Sequence, residues 1–265
     1  MGMKNVRPQN GRVVFDGSPE TLARANICSR YGERVQVLMG VFPARSFEEL
    51  FQGVRAMPWE QWIGKRDAFP VKGSCLDSQL ASVPDCQSII KKAVVERLKA
   101  KYSLSWFEET GAPRQIHFLI FKDSVSMMID TSGAGLHKRG YRANAAEAPI
   151  RETLAAAMAY FSRVRHDANF IDPFCGSGTI PIEAALAALN IAPGAGRRFT
   201  AENWDCIPKE VWAQERERAR SLEGRSASFQ AHAYDIDPAA VELTRAKAWY
   251  SGCHAADSTA ICAGR

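Results

Sequence analysis

Two acidic segments, one of them rich in glycine, carry the clearest chemical signal in the 265-residue sequence. The first is Asp172-Pro173-Phe174-Cys175-Gly176-Ser177-Gly178-Thr179. It follows the apolar run Phe170-Ile171 and precedes an Ala/Leu-rich stretch, so it reads as a strand, a tight loop and a helix. Glycines let such a loop approach a ligand closely and adopt conformations closed to other residues. Loops of this kind at the C-terminal ends of parallel strands bind nucleotides. The second segment, Asp235-Ile236-Asp237-Pro238, ends the next strand-like run, Phe229 to Tyr234. A carboxylate there can accept hydrogen bonds from both hydroxyls of a ribose. A dinucleotide-binding unit would space its glycine turn and ribose carboxylate about 20 residues apart. Here the two acidic strand ends lie 63 positions apart (172 to 235), which disfavours a dehydrogenase. The plainer alternative for the glycine loop is an ordinary turn of an α/β fold.

Two basic clusters are candidates for phosphate contacts, which supply much of the affinity for nucleic acid. Lys91, Lys92, Arg97 and Lys99 share one face of a periodic helix whose other face carries Ile89, Ile90, Ala93, Val94 and Leu98. His137-Lys138-Arg139-Gly140-Tyr141-Arg142 puts basic groups and an aromatic on a glycine-rich stretch. From pattern alone, a solvated helix face and a surface loop remain open for the two. Trp59, Trp62, Trp106 and Phe107 read as core rather than as platforms for stacked bases.

The background is that of a folded α/β protein. Apolar residues make up 46% and charged residues 24%, which excludes a disordered chain, a collagen-like fibre and a coiled coil. The net charge of +5 permits a polyanionic partner without arguing for one. No stretch reaches the roughly 18 apolar residues of a membrane span, and the first ten residues, MGMKNVRPQN, contain no apolar leader. The seven cysteines contain no C-x-x-C pair, so neither a disulfide framework nor a metal site is expected and a cytoplasmic location is.

Elements can be assigned around these segments. Val13–Phe15 reads as a strand, Ser18 as the cap of a helix beginning at Pro19, and Val35–Val41 as a second strand. Ser46 with Glu49 forms a capping-box pattern before a helix through Val54, and Asp85 is expected to cap the basic helix. Gln115–Phe121 and Val125–Asp130 read as a hairpin. Helices are expected from Pro149 to Phe161, Thr179 to Asn190, Pro208 to about Leu222 and Pro238 to Tyr250, alternating with strands at Phe170–Asp172 and Phe229–Tyr234. That alternation implies a parallel, doubly wound sheet.

The glycine loop with its acidic partner resembles the class I S-adenosylmethionine-dependent methyltransferases, and the D-P-F-C-G-S-G-T form is similar to the subgroup acting on exocyclic amino groups of nucleic-acid bases. By that resemblance Asp172, Phe174, Cys175, Gly176, Ser177, Gly178 and Thr179 would line the methionine and ribose pocket. Asp235 would hold the ribose hydroxyls, Ile236 would pack on the adenine, and the helix carrying Arg151, Glu152 and Thr153 would complete the methionine pocket. Residues 46–160, with F-E-E-L-F-Q-G-V, S-V-P-D-C-Q-S-I-I-K-K-A-V, D-T-S-G-A-G-L-H-K-R-G-Y-R and E-A-P-I-R-E-T-L-A-A-A, resemble the bacterial THUMP-domain RNA guanine-N2 methyltransferases. N-I-A-P-G-A-G-R-R-F through Trp212 resembles that family's insertion after the glycine loop.

The resemblance implies an α/β chain of four parts: a partial ferredoxin-like segment (1–41), a THUMP RNA-binding domain (42–131), a basic linker (132–148) and the N-terminal half of a Rossmann-like class I methyltransferase domain (149–265). It implies S-adenosylmethionine as cofactor and RNA as partner, ribosomal RNA of the large subunit ahead of transfer RNA, with Lys91, Lys92, Arg97, His137, Lys138, Arg139 and Arg142 as contacts. The family's catalytic signature is an Asn-Pro-Pro-Tyr/Phe loop, and no Asn precedes a proline in this sequence. Two catalytic-domain strands are expected, because CHAADSTAICAGR after Gly252 shows no strand-like run. The chain thus reads as truncated at both ends and unable to complete the reaction alone. A DNA adenine-N6 methyltransferase and a non-catalytic RNA-binding remnant are the alternatives.

Overall fold

The computed structural model describes residues 2–141, 150–224 and 228–251, together with the backbone of 261–264. They divide into two compact units. One contains 34–133 and 199–207; the other contains the residues up to 33, 134–198 and those from 208 onward.

The 34–133 unit is built on a four-stranded sheet. Its elements are β3 (Gln36–Pro43), α2 (Phe47–Arg55), β4 (Val71–Leu76), α3 (Val83–Tyr102), β5 (Ile116–Phe121) and β6 (Ser124–Asp130); β1, β2 and α1 lie earlier, at Lys4–Gln9, Arg12–Asp16 and Pro19–Cys28. The sheet order is β3-β6-β5-β4, antiparallel except for the β4–β5 pair. Because β4 and β5 run parallel, the chain between them must cross over, and α3 is that crossover. Its inward residues Ile90, Ala93, Val94 and Leu98 are wholly buried, as their helical spacing requires, and α2 packs beside it with Leu50 and Val54 inward. Ser46 Oγ accepts from Glu49 N at 3.2 Å, as its spacing predicts. The expected cap Asp85 is instead a first-turn residue. Ser82 Oγ is the cap and accepts from Asp85 N at 3.4 Å, since Pro84 lacks an N–H and fits the first turn. β4 escapes the sequence pattern because Pro70 and Gly73 read as breaks. Gly73 is required there, as a Cβ would lie 2.2 Å from the Phe118 carbonyl oxygen on β5.

The expected boundary at 41 falls inside β3, whose pairing with β6 makes it part of this sheet; the chain divides at 33 and 34 instead. Residues 199–207, expected in the methyltransferase part, also belong to this unit. Trp204 is 1% exposed, its Nε1 donates to Pro113 O at 3.3 Å, and the Arg114 guanidinium stacks 4.6 Å from its ring. Trp59 and Phe107 are core as expected, but Trp106 is 78% exposed.

In the other unit, β1 and β2 form a hairpin that leads into α1. α1 packs on α6 (Lys209–Ser221), where Arg24 grips Glu215 through two bonds of 2.8 and 2.6 Å. α4 (Glu152–Phe161), β7 (Asn169–Asp172), α5 (Thr179–Ala188), β8 (Gln230–Tyr234), α7 (Pro238–Tyr250) and β9 (Ile261–Gly264) complete the unit. The sheet order is β7-β8-β9, all parallel, with Ala231 and Ala233 buried beneath α5 and α7. The tail after Gly252 therefore does contain a strand, correcting the expected count of two. The backbone groups along the outer edge of β8 need partners, and the short Ile261–Gly264 segment supplies them without an apolar run long enough to read.

Candidate cofactor site

The candidate site lies at the C-terminal ends of β7 and β8, where an open parallel sheet presents its loops to a ligand. The cofactor loop rises from Asp172 and folds back toward β8, with Cys175 N donating to Tyr234 O at 2.8 Å. Gly176 (φ +53°) and Gly178 (φ +75°) occupy the left-handed region. A Cβ at Gly176 would meet nothing, leaving open space above the loop, whereas one at Gly178 would lie 2.6 Å from Thr244 Cγ2. Gly178 therefore allows α7 to approach and α5 to start.

The two carboxylates are held differently. Asp235 Oδ2 accepts from Gly176 N at 2.8 Å and Oδ1 accepts from Asp237 N at 3.0 Å. The N–H groups of Asp237 and Gly176 hold its carboxyl below the usual carboxylate range. Each oxygen retains a lone pair for a further donor. Asp172 Oδ1 accepts from Phe174 N at 3.1 Å, while its Oδ2 is buried with no partner among the described residues. Burial pushes the Asp172 carboxyl up, and the charge of Asp235 adds to the rise against the Phe174 N–H. A buried acceptor lacking a donor costs about 1–3 kcal/mol, so this atom is suited to a ligand that donates. Two neighbouring carboxylates favour a cationic ligand and repel a pyrophosphate. An S-adenosyl sulfonium carrying an ammonium group and a ribose matches this donor and charge requirement.

The other predicted residues separate into two groups. Phe174 is 87% and Ile236 98% exposed, both available to a ligand. Ser177 is half-buried, and its Oγ lies 3.5 Å from Thr179 Oγ1. Cys175 and Thr179 are buried in the fold, with Cys175 Sγ 3.7 Å from Thr244 Oγ1 and its thiol pushed up by burial. Thr153, in the first turn of α4, is 7% exposed. Sequence reasoning missed Thr244 and Lys247, which brace the loop from α7. Thr244 Oγ1 donates to Gly176 O at 3.1 Å and Lys247 Nζ to Ser177 O at 3.3 Å. Their i, i+3 spacing is the one signal in the sequence that places them on a common helix face.

The expected RNA contacts are corrected in part. Arg139 is 6% exposed. It bonds Glu183 at 3.3 Å, Leu136 O at 2.7 Å and Ser29 O at 3.2 Å, and also reaches Arg30 O, so it is a structural pin rather than a phosphate contact. Burial pushes the Glu183 carboxyl up against the opposing pull of Arg139, and Tyr141 donates to it at 3.0 Å. Arg97 is bound twice by Glu60, at 3.0 and 2.6 Å. Lys91 is tied to Glu109 at 2.5 Å and Phe69 O at 3.1 Å, with its Nζ 3.5 Å from the Phe69 ring centre. Lys92 and Lys138 are exposed, and His137 is half-buried against Glu33. Arg142 lies outside the described residues.

A parallel sheet with a glycine loop and paired acidic strand ends defines a Rossmann-like, class I methyltransferase domain. Comparison with known proteins places the chain more narrowly. Residues 1–36 match the RlmL ferredoxin-like domain, 44–130 the THUMP domain and 139–258 the RMKL-like methyltransferase domain. The Bacillus subtilis (strain 168) protein named "Putative RNA methyltransferase YpsC" is 43% identical over 245 residues, covering 92% of this chain and 64% of that protein. A ribosomal RNA large subunit methyltransferase K/L of Psychromonas ingrahamii is 33% identical over 258 residues, covering 95% of this chain and 34% of its own. A solved Listeria monocytogenes protein, described as a predicted N6-adenine-specific DNA methylase, superposes with TM-score 0.94 at 44% identity, covering all of this chain and 68% of that one. SMU.472, solved in complex with SAH, gives TM-score 0.91 at 38% identity, covering all of this chain and 70% of that one. This chain belongs to the THUMP-containing, RMKL-like methyltransferases, an S-adenosylmethionine-dependent family. It spans about two thirds of the YpsC length and about a third of the K/L protein.

Proposed function

We propose that the chain is the RNA-reading and cofactor-holding part of an RNA methyltransferase that modifies guanine N2 in structured RNA. Large-subunit ribosomal RNA is favoured over transfer RNA, and the cytoplasm is the setting. The observation that carries this reading is the pair of strand-end carboxylates around Gly176, with the buried Asp172 Oδ2 lacking a partner among the described residues and Asp235 held by two N–H groups. Bound S-adenosylmethionine would supply an electrophilic methyl group. Asp235 would accept from the ribose hydroxyls and Asp172 from the amino end, with Phe174 and Ile236 as the apolar surfaces. Lys92 and Lys138, the exposed members of the two candidate basic clusters, are the contacts to RNA phosphate. Exocyclic nitrogen is a poor nucleophile because its lone pair is delocalised into the ring, so its activation needs acceptors placed at the base. The family's Asn-Pro-Pro-Tyr/Phe loop would supply them, and no Asn-Pro pair occurs in these 265 residues. The chain alone is therefore expected to bind without turning over.

The test is competition binding with labelled S-adenosylmethionine, structured RNA and duplex DNA. Saturable cofactor binding with RNA preferred over DNA supports the reading, and preference for duplex DNA would favour an adenine-N6 DNA methyltransferase, the description carried by the Listeria neighbour. Absence of cofactor binding would leave the RNA-binding remnant.

A further inference from the structure

Glu33 is a meeting point within its unit. Its Oε1 accepts a hydrogen bond from the Thr153 hydroxyl at 2.6 Å, and its Oε2 lies 2.7 Å from His137 Nδ1. Its backbone carbonyl accepts from Leu136 N at 2.8 Å. One carboxylate thus fixes a side chain from the first turn of α4 and another from the basic loop. The neighbour on the basic loop is held in place. Gly135 admits the His137 ring, since a Cβ there would lie 2.6 Å from Cε1. Arg197 braces the loop through bonds to the carbonyls of Ala134, Gly135 and Lys138 at 2.6, 2.9 and 3.0 Å. Burial opposes the charged form of Glu33. The hydrogen bonds of Thr153 and His137, with the charges of His137 and Arg151, outweigh burial and hold its carboxyl below the ordinary value.

A hydroxyl has one proton to donate and two lone pairs to accept with. Once the Thr153 proton is committed to Glu33, its Oγ1 can present only acceptor character to a ligand. That is the character an ammonium donor requires.

We infer that Glu33 is a positioning residue for the cofactor site, acting through Thr153 and tied by His137 to the basic loop. The inference rests on the reading of Thr153 as part of the methionine pocket. It makes Glu33 more than a packing residue, because its effect on the cofactor must pass through one hydroxyl.

The experiment combines calorimetric titration of S-adenosylmethionine with the Thr153 methyl NMR signal, in the 265-residue chain. Glu33→Ala and Thr153→Val should each weaken binding about tenfold, the scale of a lost hydrogen-bond partner. The double variant should be no weaker than either single one, since dependent contributions do not add. Glu33→Gln keeps an oxygen that accepts from Thr153 and should bind like the parent. Without cofactor, Glu33→Ala should shift the Thr153 methyl signal and Glu33→Gln should shift it less. Glu33→Asp, charged but too short to span both partners, serves in the same role if Glu33→Ala does not fold. The inference is overturned if Thr153→Val weakens binding while Glu33→Ala does not, if the two losses multiply in the double variant, or if the methyl signal is unmoved. Loss of binding in no variant, or a parent that binds no cofactor, overturns the pocket reading instead, and the methyl signal still reports whether Glu33 holds Thr153.

Discussion

The cofactor loop and the basic helix α3 are both polar, and both were candidates for ligand contact, yet they treat their polar groups in opposite ways. Around the loop, Asp172 Oδ2 is buried with no partner among the described residues, and Phe174 and Ile236 stand out of the fold at 87% and 98% exposure. On α3 two of the charges are already satisfied by the protein, Lys91 by Glu109 and Phe69 O and Arg97 by Glu60 through two bonds, while Lys92 is exposed. A site for a small ligand keeps donors and acceptors in reserve, because a buried group without a partner carries a cost that a bound donor can remove. A helix with two of its cations internally paired has less to offer a polyanion than its sequence suggests. The basic loop contains both kinds of residue, with Arg139 fully engaged and its neighbour Lys138 exposed.

That contrast is sharpest at Arg139. Arg139→Ala would leave Glu183 buried without its charged partner and should cost about 3–5 kcal/mol of stability, read as a lowered midpoint in denaturant. Lys138→Ala should leave that midpoint unchanged and weaken RNA binding. Equal stability of the two variants would erase the distinction between pin and contact. Next in size is Gly178→Ala, which places a non-glycine residue at φ +75° and a Cβ 2.6 Å from Thr244 Cγ2. It should cost about 1–3 kcal/mol in backbone strain alone and reduce cofactor affinity; unaltered thermal stability would show that the loop is not held by α7.

The Asp172 carboxyl gives a test in pH. Its titration is raised in the folded chain, chiefly by burial. Folding therefore favours its protonated form, and the stability this gives is present at low pH and lost as pH rises through the raised value. A cationic ligand prefers the ionised form, so cofactor affinity should rise with pH across the acidic range and then level. Asp172→Asn should flatten that rise, and a profile identical to the parent would place the cation elsewhere. The smallest effect is expected on α3. Lys92→Ala, at an exposed lysine, should lower the salt dependence of RNA binding by about one unit of log–log slope, whereas Arg97→Ala should change it less. The reverse order would mean that Glu60 releases Arg97 to RNA.

Much of this architecture could be read from the chain because periodicity and caps agree locally. Ile90, Val94 and Leu98 mark the buried face of α3, Ser46 and Glu49 mark the start of α2, and the turn at Lys122-Asp123 separates two alternating strands. The elements missed lack such a signal. β1 consists of six exposed residues, β4 is interrupted by a glycine that exists for Phe118, and β9 is a short strand defined by the edge it covers. In the site, the glycine loop and Asp235 were legible from their types and order. The Arg139–Glu183 pair and the Glu33 bridge were not, since partners 44, 104 and 120 residues apart are joined only by the fold.

As proposed above, the strand-end carboxylates form a cradle for S-adenosylmethionine. Titrating it into the 265-residue chain and into its Asp235→Ala variant, with S-adenosylhomocysteine as competitor, tests this directly. Saturable one-to-one binding is expected, displaced by the competitor and weakened about tenfold by the substitution, the scale of a lost hydrogen-bonding carboxylate. Equal affinity in the two proteins, or no saturable binding to the parent, would contradict it.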